Sequence, residues 1–345
     1  MNSYRLRALG TALGFAADTV LADPARWHPV AGFGVCASAL EQVLHPDAGP
    51  PGDTVTHSAT RTRLRGAAFT VVLVGGAAAA AGAAEILTAR RPTLRVAVTA
   101  VTVWSCLGGT SLLRVAERHA VLLERGDVPA SRELLPWLCG RDPSALDAGD
   151  LARAVVESVA ENTSDAAVAT LFWAAVAGPA GAAAHRAANT LDAMVGHRSS
   201  RYVDFGWASA RLDDVLGWPA ARLAAVLTAV LAPAVGGQPR DALSTWRRDA
   251  RAHPSPNAGV IEAACAGALG IQLGGRTPYP YGVEMRPRLG RGPAPRPDDV
   301  RRAIRLMRST QFATAAGAVA AQALVGTAAA RVSRRGQVRR RSARR

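Results

Sequence analysis

The chain has 345 residues, enough for one large or two ordinary domains with a sizeable core. Hydrophobic residues make up 49% against 19% charged, and aromatics only 5%, a balance that argues against disorder and leans towards membrane helices built of Ala, Val and Leu. All 41 basic residues are Arg, and the absence of Lys excludes a Walker-type phosphate loop, a protein-kinase site and Schiff-base chemistry, so phosphate handling must rest on Arg, metal and helix N-termini.

The first apolar run, 8–20, is interrupted by Asp18 and lacks a small-residue cleavage site in a convincing place, so it is not read as a signal peptide. Asp18, Asp23-Pro24 and His28-Pro29 form a turn-rich cluster, and 46–62 is a Pro/Gly/Thr loop. Three stretches carry no charge: 66–84 over nineteen residues, 96–113 over eighteen and 310–330 over twenty-one. Each is long enough to cross a hydrocarbon core of about 30 Å. The first two, joined by a linker with Arg90, Arg91, Pro92 and Arg95, read as a transmembrane hairpin, the alternative being two buried Ala-rich helices of a soluble bundle.

Two central segments, 166–177 before Gly178-Pro179 and 222–232 before Pro233 and Gly236-Gly237, look too short to cross unaided. Broken helices at membrane depth are tolerated where they line a cavity or are buried in protein, which makes both candidates for re-entrant elements. Arg286 to Asp299 reads as a Pro/Arg-rich loop. No repeat and no sustained strand alternation is visible, so the predicted class is all-α: a multi-pass integral membrane helical protein with broken or re-entrant central helices. One membrane-embedded domain over 1–330 is followed by an Arg-rich tail, 331–345, expected to be disordered. Eight of its fifteen residues are Arg, which explains much of the net charge of +15 as a cytoplasmic anchor on anionic lipid rather than as a nucleic-acid signal. Cys36, Cys106, Cys139 and Cys265 have no paired spacing and are read as packed thiols.

Arg153, Glu157, Glu161 and Asp165 recur every four residues and share one helix stripe, with Val155, Val156 and Val159 opposite. The stripe is either a salt-bridged wet face or a carboxylate row able to hold Mg²⁺. Asn189, Thr190 and Asp192 come next, then His197, Arg198, Arg201 and Arg211-Leu-Asp213-Asp214, which combine metal ligands with anion clamps. In His253-Pro-Ser255-Pro-Asn257-Ala-Gly259 two prolines fix the backbone and Asn257 is a good N-cap, so a rigid loop feeds a helix containing Glu262.

In their order along the chain, Asp18-Thr-Val-Leu-Ala22-Asp23-Pro24 through Trp27-His28-Pro29-Val30, Glu157 to Asp165, Asn189 to Gly196, Arg211 to Asp214 and His253 to Gly259 resemble the CbiB/CobD family of cobalamin biosynthesis, adenosylcobinamide-phosphate synthase, over residues 14 to 275. Two departures are apolar: Ala22 stands where Gly is usual, and Val260-Ile261 where Trp-Pro is usual. The resemblance implies a multi-pass membrane ligase that joins the free propionate of adenosylcobyric acid to aminopropanol phosphate or a related amino alcohol, with ATP and Mg²⁺ as substrate complex and the corrinoid as substrate. On that basis Glu157, Glu161, Asp192 and His253 are the expected catalytic residues, with His253 as base for the attacking ammonium. Arg198, Arg201, Arg211, Asn162, Asn189, Ser255 and Asn257 are expected to bind substrate or phosphate, and Asp165, Asp213 and Asp214 to hold metal. Motifs and tail are expected on the cytoplasmic side of the cell membrane, with the bilayer and other late cobalamin-pathway membrane enzymes as partners and no specific nucleic acid. The competing reading is a non-catalytic transport or signalling component whose polar residues line a path through the bilayer; a soluble RNA-binding helical protein is a third.

Overall fold

Ala- and Leu-rich runs punctuated by Pro and Gly give twelve helices among the described residues. The computed structural model describes residues 2–24, 28–45 and 58–342, the side chains of 329–330 and 332–342 excepted. In chain order these are α1 (Ser3–Leu21), α2 (Pro29–Leu44), α3 (Ala59–Leu87), α4 (Pro92–Cys106), α5 (Gly109–Glu124), α6 (Val128–Leu134) and α7 (Ala148–Thr163). A π-helical turn, Ser164–Ala169, leads into α8 (Thr170–Val195), followed by α9 (Trp207–Leu231), α10 (Pro239–Asp249), α11 (Ala258–Leu269) and α12 (Pro297–Ser342). The one sheet among these residues is an antiparallel hairpin of β1 (Leu273–Tyr279) and β2 (Gly282–Leu289). The first part of the expected 286–299 loop is therefore strand, disguised because Gly274, Gly275 and Pro287 interrupt any alternation. Trp27 and residues 46–57 of the expected 46–62 loop lie outside the described residues, and α3 begins at Ala59.

One layer consists of α1, α3, α4, α8 and the second half of α12. Gly10 and Gly14, one turn apart on α1, press onto Thr99 and Val103 of α4, and a Cβ at Gly10 would lie 2.5 Å from Thr99 Cβ. Small residues at this spacing let two helices approach closely where no hydrophobic effect drives them together. Leu9, Leu13, Val71, Val72, Val101 and Leu324 stay exposed on the outside of this layer, as a lipid-facing surface requires. The second layer has an interior core: Leu151 to Ala160 of α7, Ala220 to Ala232 of and after α9, Val260 to Leu269 of α11 and Val300 to Met307 of α12 are its buried apolar residues. Cys106 and Cys265 are packed thiols as expected, whereas Cys36 is exposed.

Among the described residues, four helices could cross a membrane by length and composition: Ala59–Leu87, Pro92–Glu124, Ala148–Val195 and Trp207–Val235. Two of them are not single rods. Pro92–Glu124 breaks at Leu107-Gly108, where Gly108 N donates to Ala166 O at 3.2 Å. The expected 66–84/96–113 hairpin is looser than anticipated, since α4 packs chiefly on α1 and α8. Ala148–Val195 doubles back at Gly178, whose φ of 68° and ψ of −151° leave the helical region. A Cβ on Gly181 would lie 2.5 Å from Trp173 O, eight residues earlier, where a straight helix would separate them by about 12 Å. The re-entrant expectation for 166–177 holds. The expectation for 222–232 does not, because α9 already starts at Trp207 and runs unbroken past Pro219, with its second half inside the core.

Helix α12 carries Gln311 to Thr163 and Gln322 to Ala174 O, then brings Gly326 to Asn2 at the head of α1. It therefore leaves the layer beside the α3–α4 turn, at the end remote from Asp165. The basic segment, expected to share a side with the motifs, therefore begins at the end of the bundle remote from Asp165. The α12 backbone stays helical to Ser342, so the expected boundary after residue 330 falls within a helix.

Candidate active site

Helix α7 is capped by Asp147, whose side chain accepts from Asp150 N at 2.8 Å, and every residue from Leu151 to Ala160 is buried. Its carboxylate stripe thus faces protein, not water. The four members then divide. Arg153 donates to Gly274 O and Arg276 O at 2.6 and 2.8 Å, while Glu157 pairs with Arg141 and accepts from Gly274 N at 2.6 Å. These two residues fasten the β-hairpin, and both carboxylate oxygens of Glu157, expected to be catalytic, are engaged in that contact. Burial opposes charge on Arg141, yet Glu157 holds its guanidinium more firmly protonated than usual.

Glu161 and Asp165, one and two turns on, are half-buried and lie beyond the contacts with the hairpin. Arg286, Arg141, Glu157 and Asp192 are charged neighbours of Glu161, and Asp213, Glu161, Asp192 and Arg186 are those of Asp165. The π turn starting at Ser164 re-aims this end of the helix, a common device at functional sites. The returning arm of α8 supplies Asn189 and Asp192, and α9 supplies Asp213, which is hydrogen-bonded to Asn189 and has its Oδ1 buried without a partner. From Asp165 to Gly178 is thirteen residues and back to Asp192 fourteen, so each arm is about 20 Å long and both ends meet in one polar cluster.

Asp214 turns the other way, 3.8 Å from Arg211, into a cleft of about 870 Å³. Arg63, Arg198, Arg211, Arg222, Arg247 and Arg251 line it together with His197, His253, Trp207 and Trp246, and Asp214 is the only acid among its lining residues. So many guanidiniums around one concavity make a strong anion trap with planar, multidentate donors. Arg198 and Arg211 are there as expected. Arg201 is not: it pairs with Glu41 at 3.0 Å and lies over the Tyr202 ring.

The 253–259 loop is rigid but wired differently from expectation. Ser255, not Asn257, caps α11, its Oγ accepting from Asn257 N and Ala258 N at 3.3 and 3.1 Å. Asn257 instead accepts from Arg222 and donates to Asp214 O, both at 2.9 Å, and so orients Arg222 towards the cleft. Asn162 is turned onto its own helix, donating to Ser158 O at 2.9 Å. His253 Nδ1 lies 3.1 Å from Ser255 N and 3.2 Å from Ser255 O, and Nε2 faces Glu262 at 3.8 Å, so the contact that Nδ1 makes with Ser255 sets which ring nitrogen carries the proton. Burial lowers the His253 pKa, and burial beside Glu157 and Glu161 holds the Glu262 carboxyl well above the usual range.

Hard oxygen donors at Asp165 and Asp213 suit Mg²⁺, and the open Oδ1 of Asp213 is one available ligand atom. Among the described residues no three Asp, Glu, His or Cys side chains are grouped to hold a metal, so the expected Asp165, Asp213 and Asp214 set is not a ready-made cage. The arrangement offers one or two carboxylates and leaves the remaining positions to phosphate and water, which is how Mg²⁺ is ordinarily held beside a nucleotide.

Sequence reasoning missed Arg141, Arg186, Arg247, Arg251 and Arg286, and left Glu262 unassigned. Arg141 and Arg286 reach the carboxylates only through tertiary contacts, and Arg247 and Arg251 lie in a stretch that reads as an ordinary basic helix end. The sole available signal was Arg186, a lone charge in the small-residue run 177–188.

A family model described as "CobD/Cbib protein" matches residues 11–307. The chain is 48% identical over 318 residues to "Cobalamin biosynthesis protein CobD" of Mycobacterium tuberculosis (strain ATCC 25618 / H37Rv), covering 92% of this chain and 96% of the relative. It is 41% identical over 326 residues to the protein of that name from Chromobacterium violaceum, covering 94% and 99%, and 40% identical over 290 residues to that of Stutzerimonas stutzeri (strain A1501), covering 84% and 89%. No solved structure matches the chain.

Proposed function

Because the chain belongs to the CobD/CbiB family of cobalamin biosynthesis proteins, we propose that it is the ATP-dependent ligase that joins adenosylcobyric acid to aminopropanol phosphate, or a related amino alcohol phosphate, to give adenosylcobinamide phosphate. The observation that carries this reading is the union of an arginine-lined cleft with a buried carboxylate cluster through the adjacent pair Asp213 and Asp214. A propionate is inert to amines until one of its oxygens becomes a leaving group. Its carboxylate oxygen attacks the γ-phosphorus of ATP, ADP departs, and the acyl phosphate is then attacked by the free amine, which expels inorganic phosphate and loses a proton. Arg198, Arg211 and Arg251 neutralise the transferring group, and Asp165 and Asp213 would hold Mg²⁺, which would spread the charge of the phosphates. Glu161, half-buried in the cluster, is the candidate acceptor of the amine proton.

Clustering supports the ligase over the transport reading. The carboxylates and the arginine cleft gather at one end of the α8 hairpin, while Phe15, Leu171, Ala174 and Ala182 form an apolar cluster along it. We place the cleft on the cytoplasmic face, where ATP is available; Arg5, Arg90 and Arg91 at the opposite face run against the positive-inside bias, which makes labelling the deciding measurement. The direct test is detergent-purified protein with adenosylcobyric acid, aminopropanol phosphate and MgATP. One ADP should appear per amide, and Arg211→Ala or Arg251→Ala should raise the KM for MgATP at least tenfold. Neither amide nor ADP from a folded protein would overturn the reading.

A further inference from the structure

The cleft and carboxylate cluster leave one string of charge unused, the Asp18, Asp23 and His28 turn at the end of α1. Asp18 is 1% exposed, its Oδ2 accepting from Thr110 N and Oγ1 at 3.2 and 2.8 Å at the head of α5, while its Oδ1 is buried with no partner. Asp23, tied by its N–H to Ser111 Oγ at 3.1 Å, likewise has a buried Oδ1 without a hydrogen bond, His28 Nε2 being 3.5 Å away. Across from them Arg186 Nε is buried and unpartnered. A point one Cβ bond from Gly108 lies 3.8 Å from both Arg186 Nη2 and Asp23 Oδ2, so the guanidinium and the Asp23 carboxylate face one small space. Ala22, which directs Asp23 inwards, is the only non-Gly residue among those described with a positive φ, at 56°. Orphaned charges and a strained backbone together are what a preformed binding site shows before its ligand arrives.

We propose that Asp18, Asp23 and Arg186 form a second binding site, separate from the arginine cleft, for a small molecule carrying both a primary ammonium and an anionic group. The ammonium supplies three donors for the two open carboxylate oxygens, and the anion meets Arg186. The Asp23 side chain is 32% exposed, which opens the carboxylate end of the site, and an adjoining cavity of about 170 Å³ between α2, α3, α4 and α8 reaches Arg186 but not Asp18 or Asp23. Arg186 also neighbours Asp165, so the amine would be held beside the carboxylate cluster. In the ligase reading, on which the ligand identity rests, this is the amino alcohol phosphate and Asp23 sets its specificity.

The test is calorimetric titration of the full chain in detergent with aminopropanol phosphate, without nucleotide. Asp23→Asn should weaken binding at least tenfold and leave MgATP affinity within twofold, and propyl phosphate, which lacks the amine, should bind wild type at least tenfold more weakly. Asp18→Asn keeps an oxygen for Thr110, so a thermal midpoint close to wild type with the same tenfold loss would support the site independently of folding. Unchanged affinity in both Asn variants, equal loss in Arg211→Ala, or amine binding abolished by EDTA would overturn it. Amine binding at Asp23 without amide formation would sink the ligase reading and leave the site. Amide formation with an unchanged amine KM in both variants would do the reverse.

Discussion

Glu157→Gln distinguishes a positioning from a catalytic carboxylate. Glu157 and Arg141 are 5% and 11% exposed at their side chains, and Glu157 also accepts from Gly274 N. Gln keeps an oxygen for Gly274 but removes the negative charge, which strands a buried guanidinium. Breaking a buried pair in this way costs about 3–5 kcal/mol. With an unfolding entropy of about 2.1 cal/mol/K per residue, 345 residues give roughly 0.7 kcal/mol/K, so the thermal midpoint should fall by about 4–7 °C. Arg141→Met combined with Glu157→Gln removes both charges and should recover at least half of that loss, a coupling of about 2 kcal/mol or more in a double-mutant cycle. Thermal melts of the four proteins in one detergent measure it. If Glu157→Gln melts like wild type yet is inactive, or if the double variant is no more stable than the single, the positioning assignment is wrong.

Four further outcomes follow. Ala22→Gly relieves an ε-region backbone that costs about 1–3 kcal/mol in a residue with a Cβ, and should raise the melting midpoint by roughly 1–4 °C on the same entropy; an unchanged or lower midpoint would show that Ala22 is not strained. His253, whose pKa burial lowers from 6.5, binds fewer protons folded than unfolded, so it contributes stability that is lost as pH falls below about 6.5. Melts between pH 7.5 and 5 should therefore show His253→Gln losing less stability than wild type, and parallel curves would refute this. In a background lacking native Cys, impermeant reagent should label Ser199→Cys and Ala252→Cys from one side and Ala89→Cys from the other; Ser199 and Ala252 on opposite faces would rule out a single cleft lined by both Arg198 and Arg251. Asp165→Asn should insert and purify normally but ligate at under 1% of wild-type turnover, and near-normal turnover would remove it from the site.

Much of this architecture was legible because it depends on local pattern. Gly178-Pro179 after a short apolar run marks a reversal in sequence and in space, and the four-residue spacing of Arg153 to Asp165 fixes a stripe whatever the surroundings. What that stripe faces was not legible. Every residue around it is apolar or small, so whether Glu157 meets water, metal or Arg141 depends on a loop sixteen residues upstream and a hairpin more than a hundred downstream. The same limit explains Asn257, whose N-cap propensity was real but lost to Arg222 and Asp214, leaving the capping to Ser255. The β-hairpin escaped because its pairing relies on two glycines at positive φ and a bulge between Leu273 and Gly275 rather than on alternating hydrophobicity.

The reversal at Gly178 has a bearing on how the protein is made. Arg7 of α1 lies over Gly178, with its guanidinium 2.7 Å from where a Cβ would be, and is itself held by Glu85 of α3 at 2.7 Å, which Arg95 of α4 also engages at 2.8 Å. Neither arm of the α8 hairpin is long enough to be retained by the insertion machinery as a span of its own. Its tip finds charged partners only from segments synthesised before it, so biogenesis must run in an order: α1, α3 and α4 are released into the bilayer first and present a finished berth into which the hairpin drops. A chain translated without its first helix would therefore stall with 166–192 at the membrane surface, and quality-control proteolysis in that segment would be the cellular trace of a failure located more than 150 residues away.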